Sequence, residues 1–306
     1  MIKTGIIGDE SSTMAWLIEL LLLHPDMKLS WVSDAQGQLT GKQVAQVFPH
    51  FVGDTALAFV SVPPLDATDL VFLCCEDGLK RLPQELPSSL RIIDMSPSRL
   101  CPDGYTYGLC EMNRKFMVHD CYRVACPSGS AMGVLLGLLP LARRGFLTSD
   151  VEVTSTIHCM PGKKAYPMPE SNADPESLEY VLGVLQPGFD KHLRMSCVRQ
   201  SPQDCVEGVA THLEVPGCGL PLDELKQLFV DYYDDHNFVF VTDRRLPLHA
   251  VAGTNKCYVS LEKEGDRLLI DTILDTRLKG TAGNAVHVMN LLFGLHERVG
   301  LAPLLS

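Results

Sequence analysis

Apolar and polar positions change their rhythm part-way along the chain. In the first half, short apolar runs (MIKTGIIG, MKLSWVSD, DLVFLCC and RIIDMS) read as strands, and AWLIELLLLHP reads as a helix stopped by Pro25. Strands separated by helices predict parallel βαβ units and a doubly wound sheet of the α/β class. After about Thr148 the runs lengthen and alternate. DVEVTSTIHC, HLRMSCVRQ, VATHLEVPG, NFVFVTD and CYVSLEKEGDRLLIDTILD have the pattern of sheets with one solvated face. GTAGNAVHVMNLLFGL then closes the chain as a helix. The stretch from Pro161 to Ser177 is rich in turn formers and reads as a surface loop or the tip of a substrate domain.

Composition narrows the function classes. With 306 residues, 46% of them hydrophobic, the chain can bury a substantial core and suits two domains better than one. A formal net charge of -11 argues against nucleic acid and anionic membrane as partners, since phosphate binding needs a basic field. MIKTGIIGDESS lacks the apolar stretch of a signal peptide, and no run reaches the roughly 18 apolar residues of a span, so a cytoplasmic protein is expected. Eleven cysteines are scattered without a C-x-x-C pair or a zinc-like His/Cys spacing. They are expected to be reduced thiols, with no metal site.

Two turns carry candidate chemistry. GIIGDESST places Gly5 and Gly8 between a strand and a helix, where backbone N–H groups can meet a dinucleotide pyrophosphate; the same glycines can equally make a tight βα turn. A third glycine is missing, because Ser11 follows Asp9 and Glu10, and two carboxylates there oppose an anionic ligand. Asp34 ends the second strand, where an acid can bond a ribose 2′-OH and repel a 2′-phosphate, or simply serve a turn. The second turn is ACPSGSAMGVLLGLLPLARRG, Ala125 to Gly145. A thiolate at such a helix start would be stabilised by free N–H groups and the dipole. Cys126 is the cysteine present, and the turn raises the question of whether it stands in the right place.

In order along the chain, KTGIIG with LLLLHPDMKL, RIIDMS, YGLCEMNR, RVACPSGSAMGVLLGLLPLA, GTNKC with YVSLEKEGDRLLI, and LKGTAGNAVHVMNLLFGL resemble the N-acetyl-gamma-glutamyl-phosphate reductases of arginine biosynthesis, relatives of aspartate-semialdehyde dehydrogenase. The resemblance implies a Rossmann-type domain over residues 1–148, an inserted α+β domain for substrate and dimerisation over 149–278, and a C-terminal helix within 279–306 returning to the first domain. It also implies a homo-oligomer, dimer or tetramer. In that family a cysteine attacks an acyl phosphate and NADPH reduces the thioester to a semialdehyde. By resemblance, NADP or NAD would meet Gly5, Gly8, Ser11, Ser12, Thr13, Asp34, Gly78, Gly283 and Asn284, and substrate would meet Arg99, Glu111 and the position of Glu207.

Departures from the family pattern fall on its chemistry. Where members read roughly V-A-N-P-G-C-Y-P-T, this chain reads V-A-C-P-S-G-S-A-M, which puts Gly129 at the nucleophile position and Cys126 three residues early. A nucleophile displaced by three residues in a tight turn points elsewhere. The general acid/base histidine falls on Ala173 in SNADPE, the substrate arginine on Glu207, and an alanine-histidine-glycine cofactor turn on Glu76, Asp77 and Gly78. The expectation is a fold relative with impaired or lost catalysis and weak or absent cofactor binding. It would act as a partner of an active reductase paralogue or as a small-ligand sensor. The alternatives are a working reductase, or a relocated thiol/imidazole pair of Cys126 with His158 or Cys159.

Overall fold

The computed structural model describes residues 1–96, 101, 103–159, 173–200 and 206–301. Among these, the chain divides into two compact units, residues 1–127 with 282–301 and residues 128–159 with 173–281. The first division falls before the long apolar helix rather than at the expected break at 148, and the second falls a few residues after 278.

The first unit is a six-stranded, all-parallel sheet of β1 (Ile2–Gly8), β2 (Met27–Asp34), β3 (Leu70–Leu73), β4 (Arg91–Asp94), β5 (Thr106–Tyr107) and β6 (Arg123–Ala125), in the order β2-β1-β3-β4-β6-β5. Helix α1 (Ser12–Leu23) follows β1. It is apolar nearly all round and is buried accordingly. Ser11 caps it by accepting from the Met14 N–H, and the extended residue His24 before Pro25 ends it. A short helix α2 (Val44–Val47) follows β2, and α3 (Cys110–Asp120) lies between β5 and β6. The closing helix α7 (Gly283–Leu292) also belongs to this unit; its Asn290 meets His24 Nε2 at 3.1 Å.

In the second unit β7 (Val151–His158), β8 (Leu193–Gln200), β9 (Gly208–Val215), β10 (Val239–Thr242), β11 (Cys257–Glu264) and β12 (Arg267–Asp275) form a mixed sheet ordered β10-β11-β12-β9-β7-β8. The long run from Cys257 to Asp275 resolves into an antiparallel hairpin turning at Gly265, whose φ is 60°. Strands β7 and β9 alternate buried positions with half-buried or exposed ones, as their sequences predict. Their buried face is covered by α4 (Gly129–Arg144), with α5 (Pro175–Leu185) and α6 (Leu222–Tyr233) packed against that helix.

Helix α4 approaches the sheet closely because its own sequence permits it. Gly133 and Gly137 lie one turn apart, and a Cβ on either would collide, with Thr211 Oγ1 at 2.5 Å and with Leu213 Cδ1 at 2.2 Å. The Thr272 hydroxyl donates to the Gly133 carbonyl at 2.9 Å. Pro140 cannot donate to the Leu136 carbonyl one turn earlier, and the Tyr233 hydroxyl of α6 donates to it instead. Gly145, left-handed at φ 73°, ends the helix. Among the described residues no helix is long and apolar enough to cross a membrane.

Candidate functional site

The parallel sheet reverses its winding between β1 and β3, and the crevice beyond their carboxyl ends is where doubly wound sheets bind ligands. Here the chain places Asp9 and Glu10 after β1 and Cys74, Cys75, Glu76 and Asp77 after β3. Burial acts most on the two thiols there, and neighbouring charges add to it. Burial first, then Cys75, Asp9 and Asp94, pushes the Cys74 thiol well above its ordinary range; burial, then Asp9 and Asp77, pushes Cys75 up to about 12.

Most of the cofactor candidates have structural duties in this unit. Gly5 pairs with Trp31 on β2, and a Cβ at Gly5 would lie 2.0 Å from the indole ring. At Gly8 a Cβ would meet Cys74 Cβ and Met14 Sδ at 3.1 Å, tighter than ordinary contact. The Ser11 hydroxyl is the cap of α1, while Ser12 and Thr13 are buried in its first turn. Both oxygens of buried Asp34 are engaged, Oδ1 by the Gln36 N–H at 3.1 Å and Oδ2 by the Leu39 N–H at 2.9 Å, as an acid holding its own turn does. Gly78 sits in a short turn, where a Cβ would meet the Cys75 carbonyl at 3.1 Å. Asn284, next to Gly283 at the start of α7, donates to the Gly108 carbonyl at 2.9 Å. Glu111 is buried in the first turn of α3. Cys126 is half-buried beyond β6, with its N–H on the Asp94 carbonyl at 2.7 Å.

In the second unit Gly129 opens α4, and Ser128 caps it by accepting from the Ala131 N–H at 3.3 Å. A Cβ at Gly129 would stand 3.3 Å from both Cα and carbonyl oxygen of Gly280, closer than ordinary contact. Ala173 lies just before Asp174, the cap of α5, and offers no group that titrates. Glu207 precedes β9, its carbonyl accepting from the Thr276 N–H at 3.3 Å. His158 pairs with Gly208 and faces the side of the sheet away from α4, while Val153, Ser155 and Ile157 face the helix side. Arg99, and the turn-rich stretch as far as residue 172, lie outside the described residues.

No group of three or more His, Cys, Asp or Glu side chains able to hold a metal occurs among the described residues, and no disulfide joins the ten described cysteines. Sequence reasoning missed Arg245 and His249, which join His158 around a cavity on the far face of the sheet. Their loop, RRLPLHAV, shows no signal beyond its basic start.

No family model matches the chain. It is 34% identical to the N-acetyl-gamma-glutamyl-phosphate reductase of Parabacteroides distasonis and 35% identical to that of Bacteroides thetaiotaomicron, with 98% of each chain covered in both comparisons. Among solved structures it is similar to aspartate semialdehyde dehydrogenase II from Vibrio cholerae, with a TM-score of 0.67 and 13% identity over 96% of this chain and 99% of that one. An aspartate semialdehyde dehydrogenase with NADP from Candida albicans gives a TM-score of 0.67 and 14% identity over 96% and 98%. The structural likeness shows the fold: a Rossmann-type parallel sheet with an inserted α+β unit.

Proposed function

The chain belongs to the N-acetyl-gamma-glutamyl-phosphate reductase family, and from that premise we propose that it keeps the family's fold without its acyl-phosphate reduction, acting by binding as a partner of an active reductase. One observation carries the reading. By the resemblance the family's nucleophile position falls on Gly129, and the space beside its Cα is bordered by the backbone of Gly280. Alanine at 173 removes the proton-transfer group, and Glu207 sets a negative charge where the family meets an anionic substrate with arginine. The test is an assay of NADP reduction with N-acetylglutamate semialdehyde and phosphate, in which no turnover is expected.

NADPH is expected to bind far more weakly than in an active relative, with NADH the less disfavoured of the two. Asp9, Glu10, Glu76 and Asp77 crowd the crevice with the ligand's own sign of charge. Asp34 is already committed to its turn. Calorimetric titration measures this directly, and micromolar or tighter NADPH affinity would overturn it.

Self-association is expected through the second unit. On the sheet face away from α4, half-buried Phe240 and Tyr258 stand in a row on β10 and β11 beside the buried Ile273 of β12. Such a row favours burial against a like surface, either a second copy or a paralogue sharing the fold. Light scattering at micromolar concentration should give the mass of a dimer or tetramer. A strictly monomeric mass counts against this assembly.

A further inference from the structure

In the first unit, α7 is followed by a short tail, residues 295–301, that returns to the end of α1. One side chain of α7 ties it down. Asn290 Nδ2 donates to the carbonyls of Glu297 at 3.1 Å and Val299 at 2.8 Å, and the Leu295 N–H returns to the Asn290 carbonyl at 2.8 Å. Gly300 then lies against His24, where a Cβ would overlap the ring at Cδ2, and its φ of 70° suits glycine.

These bonds fix the protonation of His24, which is buried. With both Asn290 N–H groups spent on carbonyls, its Oδ1 is the atom that faces the ring, so His24 Nε2 donates to it at 3.1 Å. The Asp26 N–H points at Nδ1 from 3.2 Å, so Nδ1 accepts. A ring that donates from one nitrogen and accepts at the other is neutral. A second proton would set N–H against N–H at Nδ1 and leave a charge buried.

We infer that His24 is an acid-sensitive clasp: a proton on Nδ1 frees the ring from Asp26 and Asn290 and loosens the tail 295–301 from α1, while the parallel sheet stays folded. Burial lowers the pKa of His24, against the bond to Asn290, the charge of Asp26 and the Val299 carbonyl, which raise it. The closed form therefore binds fewer protons than the open one. Its hold is complete above the ordinary histidine value of about 6.5 and is lost as pH falls from there through the lowered value. The charge acting on the ring is Asp26, on its own turn; Glu19 lies more than a turn back on α1. On α7, His287 meets the Glu297 carboxylate at 2.7 Å, which also takes Arg114 of α3 at 2.8 Å. His296 and Arg298 of the tail are exposed.

Hydrogen exchange of the full chain, corrected for the intrinsic effect of pH, tests the clasp. At about pH 5.5, one unit below the ordinary histidine value, the tail amides should open about tenfold more than at about pH 7.5, with β1 and β3 still protected. His24→Gln keeps an amide N–H for Asn290 but does not titrate there, and should hold the tail equally at both pH values. NMR titration of the wild-type ring needs no variant: it should show the Nε2–H tautomer and a pKa below about 6.5. Tail opening unchanged between the two pH values would overturn the clasp. So would an equal rise in His24→Gln, which would assign it to the Glu297 pairs, a simultaneous loss of protection in β1 and β3, or a His24 that titrates at its ordinary value or above.

Discussion

Given N-acetylglutamate semialdehyde, phosphate and NADP together, the wild-type protein is expected to reduce no cofactor, and Gly129→Cys is expected to leave that result unchanged. A missing nucleophile closes the covalent route, and a missing acid/base group alone typically forfeits about 10²- to 10⁴-fold in rate. The restored thiol would enter against Gly280, whose backbone must yield by a few tenths of an ångström. By the resemblance, Ala173 stands at the acid/base position and Glu207 at that of the substrate arginine. A single substitution therefore replaces one of several missing parts. Cys126→Ala is the control for a relocated nucleophile. Turnover near 1 per second, an ordinary enzymatic rate, that vanished in Cys126→Ala would sink the inactive reading and assign the chemistry to Cys126.

Much of the fold was legible because burial leaves a periodic trace. The runs at β1 and β2 stand where their apolar residues place them, and Pro25 stops α1 as read. The allegiance of α4 was harder to read. It follows β6 directly, as a helix of a doubly wound sheet should, yet it packs on β7, β9 and β12. Its sequence held the clue in Gly133 and Gly137, a turn apart in a helix that is otherwise solidly apolar, marking close approach to another surface. The cavity around His158 could not be read in advance. Arg245 and His249 reach it from a loop remote in the chain, and no periodicity reports where a loop returns.

Glycines were the least legible residues, since the same letter serves a ligand or a neighbour. Gly5 shows the difference most sharply and supports a prediction of large effect: Gly5→Ala should destabilise the first unit severely, whatever it does to a nucleotide. The new methyl would overlap the indole of Trp31 at 2.0 Å from one ring carbon and 2.1 Å from another. The ring has little freedom to retreat. It is buried with Ile7, Val71, Leu73 and Ile92, and its Nε1 donates to Thr68 Oγ1 at 2.9 Å. Overpacking of a core typically costs about 1–3 kcal/mol, and evicting a large aromatic costs about 3–5 kcal/mol. A rigid buried ring puts Gly5→Ala toward the upper figure. Trp31→Leu alone should also destabilise, through lost packing. In the double variant the methyl would occupy space the indole has vacated, so the two losses should add to less than their sum by about 1 kcal/mol or more, as for residues in contact. Chemical denaturation of the four proteins reads this coupling. Strict additivity, or a Gly5→Ala protein as stable as wild type, would mean that the glycine is not held for Trp31.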